Sequence, residues 1–197
     1  MYNGLTITEP DTSKFPPGSF QFLGTDEYIV YVDSPDWDIF GDQSGHKTVA
    51  GWVYFDGLGT AEYMCSQYED GNNRWHINKP ATDKLTFVYK TATSVEVNIP
   101  AVSSFSIATW HHVAVVFNGL EIGIYLDGEQ ENYDTAWNAD TFLGSLYFGQ
   151  KGDDTGWFDG RMQDWHISYN NPYNAAPNVA VNDTFTVPAA PAQLVMK

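Results

Sequence analysis

Two neighbouring histidines, His111 and His112, have side chains suited to proton transfer or to metal binding. They lie in a run of β-branched and aromatic residues, Trp110–Phe117, which is typical of a β-strand. Because neighbouring residues of a strand point to opposite faces of the sheet, we expect the two imidazoles to point apart. A metal pair or a catalytic dyad needs both on one side, so the pattern favours packing and hydrogen-bonding roles for both histidines.

Carboxylates are the second group with possible chemistry, since Ca²⁺ takes six to eight oxygen ligands. Acidic residues cluster in two loops, at Asp33, Asp36, Asp38 and Asp42 and at Asp153, Asp154 and Asp159. If the chain holds a structural calcium ion, we expect Asp26 and Glu27 as its first ligands, followed by Asp153 and Asp154. The alternative is that these are solvated aspartates that form turns. The sequence requires no other cofactor.

Aromatic side chains form the third group, because exposed rings can stack on sugars or bury against a protein partner. The sequence has 7 Trp, 12 Tyr and 12 Phe. Trp37, Trp75, Trp137 and Trp157 fall in predicted loops or near turns, which makes them the candidate contacts for a ligand or a partner. The tryptophans of predicted strands, Trp52, Trp110 and Trp165, are expected in the core.

Composition excludes several classes of partner. The chain has 197 residues with a formal net charge of -16, so nucleic acid and anionic membrane surfaces would be repelled. Cys65 is the single cysteine, which rules out a disulfide within the chain and favours a buried thiol. No stretch is apolar enough to span a membrane, and the N-terminus has no signal-peptide pattern. We therefore expect synthesis in a cytoplasm without export.

Turn signals at short intervals separate many strand-like runs, which predicts an all-β, two-sheet antiparallel sandwich. The predicted strands are Ser19–Leu23, Tyr28–Val32, Thr48–Phe55, Tyr63–Tyr68, Leu85–Tyr89, Ser94–Ile99, Trp110–Phe117, Glu121–Leu126, Gly144–Gly149 and Arg161–Tyr169. Asn118-Gly119 predicts a type I′ hairpin turn, and Asp127-Gly128 ends the second strand of that hairpin. Val113–Phe117 is apolar on both faces, so we expect a central strand that is covered on both sides.

We predict one domain, residues 1–173, followed by an extended arm, residues 174–197. The arm is rich in Ala, Pro and Val, and residues 193–196 could form a final strand.

Seven segments in a consistent order carry a family resemblance. They are Phe22–Ile29, Ser34–Asp38, Val49–Val53, Ser66–Trp75, Thr109–Val115, Ile124–Gly128 and Phe158–Ser168. Together they resemble the laminin G-like, concanavalin A-like lectin and glucanase family, over roughly residues 13–173. The resemblance implies a jelly-roll sandwich. Within the family, the chain resembles the virion-associated bacteriophage members.

The chain departs from the family at several points. Leu23 stands where the family usually has Asp, which removes a carboxylate from a loop that can help to hold calcium. His46-Lys47-Thr48 replaces the usual apolar start of the next strand. The family's apolar first strand is missing at the N-terminus, whereas Leu194–Lys197 resembles it at the other end. The tail could fill that vacancy in its own domain or in an adjacent copy, and an unfilled edge would favour aggregation.

Catalysis is not expected. Glycoside hydrolases on this scaffold carry alternating carboxylates on one strand, and a retaining mechanism needs an acid and a nucleophile about 5–5.5 Å apart. Glu129-Gln130-Glu131 follows a turn and offers no such triplet. We therefore expect a binding or structural protein rather than an enzyme.

Two functions remain open. The first is a bacteriophage virion accessory, either a capsid decoration or cement protein or a fibre module, located on the virion surface and made in the host cytoplasm. It would dock on capsid proteins and on sister copies, as a homo-oligomer, through the loop aromatics and an assembly arm that includes Phe185, Val187, Leu194, Val195 and Met196. The alternative is a lectin-like module that recognises surface glycans.

Overall fold

The computed structural model describes residues 2–3, 6–8, 13–16, 18–92 and 97–191. Fourteen strands lie within these ranges. They are β1 (Tyr2–Asn3), β2 (Thr6–Thr8), β3 (Ser19–Leu23), β4 (Tyr28–Tyr31), β5 (His46–Phe55), β6 (Glu62–Tyr68), β7 (Arg74–Lys79), β8 (Lys84–Lys90), β9 (Val97–Ser104), β10 (Trp110–Asn118), β11 (Glu121–Leu126), β12 (Glu129–Asp134), β13 (Ser145–Phe148) and β14 (Asp159–Ser168). No helix in the described part of the chain has the length and apolar character needed to cross a bilayer.

The strands form two antiparallel seven-stranded sheets. The first sheet has the order β1-β4-β13-β6-β7-β8-β9, and the second has the order β12-β11-β10-β5-β14-β3-β2. This is the all-β jelly-roll sandwich that the sequence predicts. Each of the ten predicted runs coincides with a strand or overlaps one; of the run Ser94–Ile99, residues 94–96 lie outside the described residues. β7 and β12, together with the two short strands near the N-terminus, were not predicted from the sequence.

Apolar side chains of both sheets meet in one core. Phe40 is buried in this core, with its ring stacked on that of Tyr89 at 4.0 Å and perpendicular to the ring of Trp137 at 5.4 Å. Cys65 is buried in this core, as predicted. Glu131 lies on β12, at one edge of the second sheet. Its carboxylate accepts hydrogen bonds from the amides of Val102 and Ser103, near the end of β9, at 2.9 and 2.7 Å. This carboxylate joins the two sheets.

The β10–β11 hairpin corrects one prediction. Asn118 pairs with Glu121, so the turn consists of Gly119 and Leu120 rather than of Asn118 and Gly119. Gly119 has a φ of 65° and Leu120 does not have a positive φ, which are the signs of a type II′ turn. The predicted type I′ turn at Asn118-Gly119 is therefore wrong. The signs of a type I′ turn occur instead at Asp127 and Gly128, with φ of 53° and 87°.

The outer face of the second sheet is covered by the chain's own tail, residues 173–187. Ala175 is buried there with Tyr125 and Val116, and the rings of Tyr173 and Phe185 stack on each other at 4.4 Å. Burial on both faces explains why the Val113–Phe117 part of β10 is apolar on both sides, as predicted. Of the residues predicted for an assembly arm, Phe185 and Val187 thus lie on the chain's own domain.

Hydrogen bonds hold the tail in place. The hydroxyl of Tyr125 donates to the carboxylate of Asp183 at 2.8 Å, and the amide of Gln130 donates to the carbonyl of Asp183 at 3.0 Å. A single antiparallel bridge pairs Thr184 with Glu129 of β12. Leu194, Val195 and Met196, the remaining residues of the predicted arm, lie outside the described residues, and their assembly role stays a prediction.

Candidate functional site

The two histidines point to opposite faces of the second sheet, as predicted. His111 contacts Phe105 on the core side, whereas His112 contacts Trp52 and Tyr173 under the tail. Burial, with a smaller contribution from His166, lowers the pKa of His112 to about 4. His112 is therefore a neutral, packed side chain at pH 7 rather than a proton donor.

His111 lies between Asp127 and Ser106 in the order found in serine hydrolases. Its Nδ1 is 2.7 Å from the carboxylate of Asp127, and its Nε2 is 2.8 Å from the hydroxyl of Ser106. The same Nε2 accepts the backbone amide of Ser106 at 3.1 Å. That amide and the Asp127 carboxylate fix both ring nitrogens, with the proton on Nδ1, and the imidazole fastens the turn before β10 to the turn after β11.

Two of the predicted calcium ligands, Glu27 and Asp153, form hydrogen bonds within their own turns. Both oxygens of Glu27 accept hydrogen bonds from its own turn: the hydroxyl of Thr25 reaches both, and Oε2 also accepts the amide of Leu23 at 3.1 Å. Asp153 binds Lys151 and the hydroxyl of Thr155.

No three or more His, Cys, Asp or Glu side chains are grouped to hold a metal ion within the described ranges. Calcium binding by Asp26, Glu27, Asp153 and Asp154 stays a prediction without structural support.

Two of the four candidate tryptophans are corrected by the structure. Trp75 and Trp137 are 0% and 5% exposed, because their indoles belong to the core. Their N–H groups donate to Gln67 and to the carbonyl of Leu120, both at 2.9 Å. The prediction that these two rings contact a ligand or a partner is therefore wrong: Trp75 lies on β7, a strand that the sequence did not predict, and Trp137 follows β12 and packs in the core.

The other two tryptophans are half-buried. Trp37 lies beside Tyr31 at 6.0 Å, next to the core. Trp157 lies beside Tyr28 at 6.1 Å, and Tyr28 in turn contacts Tyr147 at 6.3 Å. Tyr28, Tyr147 and Trp157 form an aromatic cluster, which we call the aromatic wing, on the outer face of the first sheet.

Strand register places the residues of this outer face in rows. Tyr147 pairs with Ser66, Ser66 with His76, and His76 with Val88. Directly opposite residues of neighbouring strands point to the same side and lie about 4.5–5.5 Å apart. The aromatic wing therefore continues into a row of polar and small side chains that runs across β13, β6, β7 and β8.

A loop, residues 149–157, packs against this face. The hydroxyl of Ser66 donates to the carbonyl of Lys151 at 2.8 Å, and the amide of Tyr63 donates to the carbonyl of Gly156 at 2.9 Å. Gly156 has a φ of 66°, and a Cβ there would overlap the ring of Tyr63. Glycine allows both this backbone conformation and this close approach. Trp157 follows at the end of the loop.

Polar side chains form the floor of the face. His76 packs edge-on against Tyr63 at 4.9 Å, and Asn78 lies two residues further along β7 on the same side. Burial, with smaller effects of Arg74 and Lys151, lowers the pKa of His76 to about 3. Nδ1 of His76 and Oδ1 of Asn78 are buried without a hydrogen-bond partner in the described part of the chain. Buried polar atoms without a partner are rare in folded proteins.

Trp157 was predicted from the sequence, but β7, on the same sheet, was not. A signal was present, because Arg74-Trp75-His76-Ile77-Asn78-Lys79 alternates apolar and polar residues with the period of two of a half-buried strand. The core side carries Trp75 and Ile77, and the outer side carries Arg74, His76 and Asn78.

Comparisons with known proteins agree with the fold. A family model described as the concanavalin A-like lectin/glucanases superfamily matches residues 24–176. None of the curated protein sequences compared with this chain matches it.

Two solved structures illustrate the likeness. Domain 4 of AbnA, an extracellular GH43 arabinanase from Geobacillus stearothermophilus in complex with arabinotriose, has a TM-score of 0.63 and 13% identity over 85% of this chain and 76% of that domain. The binding domain of botulinum neurotoxin serotype D/C has a TM-score of 0.60 and 14% identity over 86% of this chain. The chain spans 43% of that toxin domain. At such identities the likeness concerns the fold.

Proposed function

The chain belongs to the concanavalin A-like lectin/glucanase superfamily, and we propose that it is a non-catalytic carbohydrate-binding module whose ligand lies on the outer face of the first sheet. The aromatic wing is the observation that carries this proposal. Tyr28, Tyr147 and Trp157 are half-buried, so each ring is held by its neighbours and keeps part of its surface toward solvent. Sugar rings have apolar faces that pack against such side chains, while their hydroxyls take polar partners.

The sheet residues next to the wing do not supply the second half of that requirement, because Ser66, His76 and Asn78 are 0%, 4% and 6% exposed. Polar groups nearer the surface lie on the 149–157 loop, where Lys151 and Asp153 flank Gly152, a glycine that packs close to the Tyr147 ring. Sugar hydroxyls both donate and accept hydrogen bonds, so they can bind to an ammonium or a carboxylate there. The arabinanase domain crystallised with arabinotriose is a fold relative that supports a saccharide ligand of this class for the present chain.

The carboxylates of the described strands of the first sheet do not support hydrolysis. Glu62 is the one acidic residue of these strands, and it is buried in an ion pair with Lys79 at 3.1 Å. Glu129 and Glu131 were the two carboxylates considered in the sequence. The carboxylate of Glu131 accepts hydrogen bonds from two backbone amides of β9. Neither arrangement leaves an acid and a nucleophile on either side of a glycosidic bond.

A glycan panel tests the proposal. The full chain is applied to immobilised oligosaccharides, and the affinity for each bound glycan is then measured for Trp157→Ala and for Tyr169→Ala. Tyr169 is a matched control because it is an exposed aromatic outside the wing. We expect Trp157→Ala to weaken binding by about ten-fold or more, since stacking and burial of one ring contribute about 1–3 kcal/mol, and Tyr169→Ala to leave it unchanged.

Circular dichroism checks that both variants fold. Tyr147→Phe, which keeps the ring and removes one hydroxyl, provides a milder second probe of the wing. Absence of binding to every glycan, or equal affinity of the wild type and a folded Trp157→Ala variant, would overturn the proposal.

The virion accessory role has no support in this geometry. The tail predicted to dock on a capsid or on sister copies packs, from residue 173 to residue 187, on its own second sheet. The virion role, the virion-surface location and the homo-oligomer stay predictions, and detection of the chain on purified particles would test them.

A further inference from the structure

Basic residues are distributed very unevenly in this acidic protein. The whole chain has 9 Lys and Arg against 25 Asp and Glu. The described strands of the first sheet contain four basic residues, Arg74, Lys79, Lys84 and Lys90, and the single acidic residue Glu62. The first sheet therefore reverses the charge balance of the rest of the molecule.

Three of these cations lie on the outer face. Lys79 points to the core side, where it pairs with Glu62, and both side chains are almost completely buried. Trp75, Leu85 and Tyr89 also point into the core, so alternation along β7 and β8 places Arg74, Lys84 and Lys90 on the opposite side. This is the face that carries His76 and the aromatic wing.

Arg74 and Lys90 are directly opposite each other in neighbouring strands. Like charges in that position repel each other and destabilise a sheet. The ion pairs within the described residues involve other basic groups. The guanidinium of Arg74 donates to the carbonyl of Gly71, in the turn that also carries Asp70. A bound anion would remove this repulsion.

A fourth cation, Lys151, extends the group toward the loop. Tyr68 pairs with Arg74 on the next strand, and Nζ of Lys151 lies 5.6 Å from the centre of the Tyr68 ring. Two carboxylates lie near: Asp153 bonds to Lys151 at 2.7 Å, and Asp70 accepts the amides of Asn72 and Asn73 within its own turn. They offset part of the local positive charge.

We infer that the saccharide bound by this face is acidic, with a carboxylate or sulfate group held by Arg74 and Lys90. The inference rests on the proposed function and names the class of its ligand. Guanidinium groups bind carboxylate and sulfate in a bidentate way, and Lys adds a point charge. Elsewhere the strongly negative surface repels polyanions, which confines such a ligand to this face.

Two matched pairs of polysaccharides test the inference. Polygalacturonate is compared with its fully methyl-esterified form, and dextran sulfate with dextran, so that each pair differs in charge and shares its backbone. Binding to the full chain is measured by calorimetry at about 50 mM and about 300 mM NaCl, because ionic contacts weaken as salt increases. The first pair probes carboxylate and the second probes sulfate.

Arg74→Gln and Lys90→Gln are compared with Lys14→Gln, which removes one exposed cation from the side of the second sheet, where Nζ of Lys14 lies 4.0 Å from the Trp52 ring centre. We expect at least one acidic polymer to bind about ten-fold more tightly than its neutral partner, because hydrogen bonds to charged groups are stronger than those between neutral groups. Each of the two face variants should lose most of this preference, and Lys14→Gln should keep it.

The outcomes separate this inference from the proposed function. Equal binding of acidic and neutral polymers, unaffected by Arg74→Gln and Lys90→Gln, would overturn the acidic ligand and leave the carbohydrate module standing. The preference for the acidic polymer could also fall as much in Lys14→Gln as in Arg74→Gln. This result would overturn the inference too, because the attraction would then not depend on the outer face of the first sheet. If neither these polymers nor any glycan of the panel binds, both proposals fail.

Discussion

Nδ1 of His111 lies 2.7 Å from Oδ2 of Asp127, and this bond connects the start of β10 with the turn that follows β11. The other carboxylate oxygen of Asp127 accepts the amide of His112 at 2.8 Å. Asp127 has a φ of 53°, a backbone conformation that Asp tolerates better than most residues do. One carboxylate thus fixes the tautomer of a histidine, a strand end and a type I′ turn.

Replacement of Asp127 by Asn should destabilise the fold at pH 7 by about 1–2 kcal/mol, since it removes a charged acceptor from two hydrogen bonds. Burial raises the pKa of Asp127, but the bonds to His111 and His112 outweigh it and keep that pKa below 3.8. As the pH falls, Asp127 is therefore protonated first in the unfolded state. The contribution of its carboxylate to the free energy of unfolding is present above pH 3.8 and disappears as the pH falls through the folded pKa.

Urea unfolding of both proteins at pH 7 and near pH 3 measures the effect. Glu129→Gln is the matched control, because it removes one exposed carboxylate from the same hairpin. A loss in Asp127→Asn that is equal at both pH values would contradict the electrostatic account.

The ion pair of Lys79 and Glu62 supports a second prediction. Nζ of Lys79 is bonded to the carbonyl of Thr60 at 2.8 Å and lies 3.2 Å from Asp83 as well. Lys79→Met would leave the Glu62 carboxylate buried without its cation, and we expect a loss of about 3–5 kcal/mol in unfolding free energy.

Adding Glu62→Gln to Lys79→Met should recover part of that loss, since the uncompensated charge is then gone. Lys84→Met is the control, because Lys84 lies on the outer face without an ion pair and should change the free energy by about 0.5 kcal/mol or less. If the double variant is as unstable as the sum of the two single variants, the two side chains are not energetically coupled.

The hairpin of β10 and β11 illustrates how far sequence reasoning reaches. Its two strands were evident from runs of β-branched residues, but the turn was placed one residue early, at Asn118-Gly119. Local preference favours a type I′ turn there, whereas tertiary pairing extends β10 to Asn118 and opposes it to Glu121. Register depends on contacts across the whole sheet, and a dipeptide preference cannot determine it.

The candidate site shows a different limit. Trp75 and Trp157 have similar polar and Gly-rich surroundings in the sequence, and both were candidates for a ligand contact. β7 places Trp75 in the core, and the bend of residues 149–157 places Trp157 beside Tyr28. The alternation of residues 74–78 indicated the core position of Trp75, whereas the position of Trp157 follows from the long-range pairing of β13 with β6, which neighbouring residues in the sequence do not encode.

His112 makes stability depend on pH. Its pKa in the folded protein is about 4, below the ordinary value of 6.5, mainly because of burial. Folding therefore favours the neutral imidazole. Between pH 6.5 and pH 4 the unfolded chain is protonated and the folded chain is not, and stability falls by about 3 kcal/mol in total as the pH decreases. His166, Lys14 and Asp127 are the charged groups whose fields reach it.

Unfolding free energies measured from pH 7.5 to pH 4 should therefore decrease less steeply in His112→Gln than in the wild type. Some slope remains, because His76 is also buried in its neutral form. His46→Gln, at an exposed histidine, should leave the slope unchanged. An identical slope in wild type and His112→Gln would show that protonation of His112 is not coupled to folding.

The tail provides the last prediction. A chain that ends at Tyr173 loses Ala175 and Phe185 and uncovers the apolar outer side of β10 and β11, including Val116 and Tyr125. It also leaves the Tyr125 hydroxyl without Asp183. Exposed apolar sheet surface promotes association, so this truncated chain should unfold at a lower temperature and aggregate in light scattering.

A chain that ends at Pro191 keeps residues 173–187, the docked part of the tail within the described residues, and serves as the control. It should match the full chain in melting temperature, because residues 173–187 remain in place. If instead the full chain is oligomeric and the Pro191 chain is a stable monomer, Leu194–Met196 would be an assembly strand, as the sequence suggests. A stable, soluble monomer ending at Tyr173 would mean that burial of Tyr125 and Val116 beneath the tail contributes little to the fold.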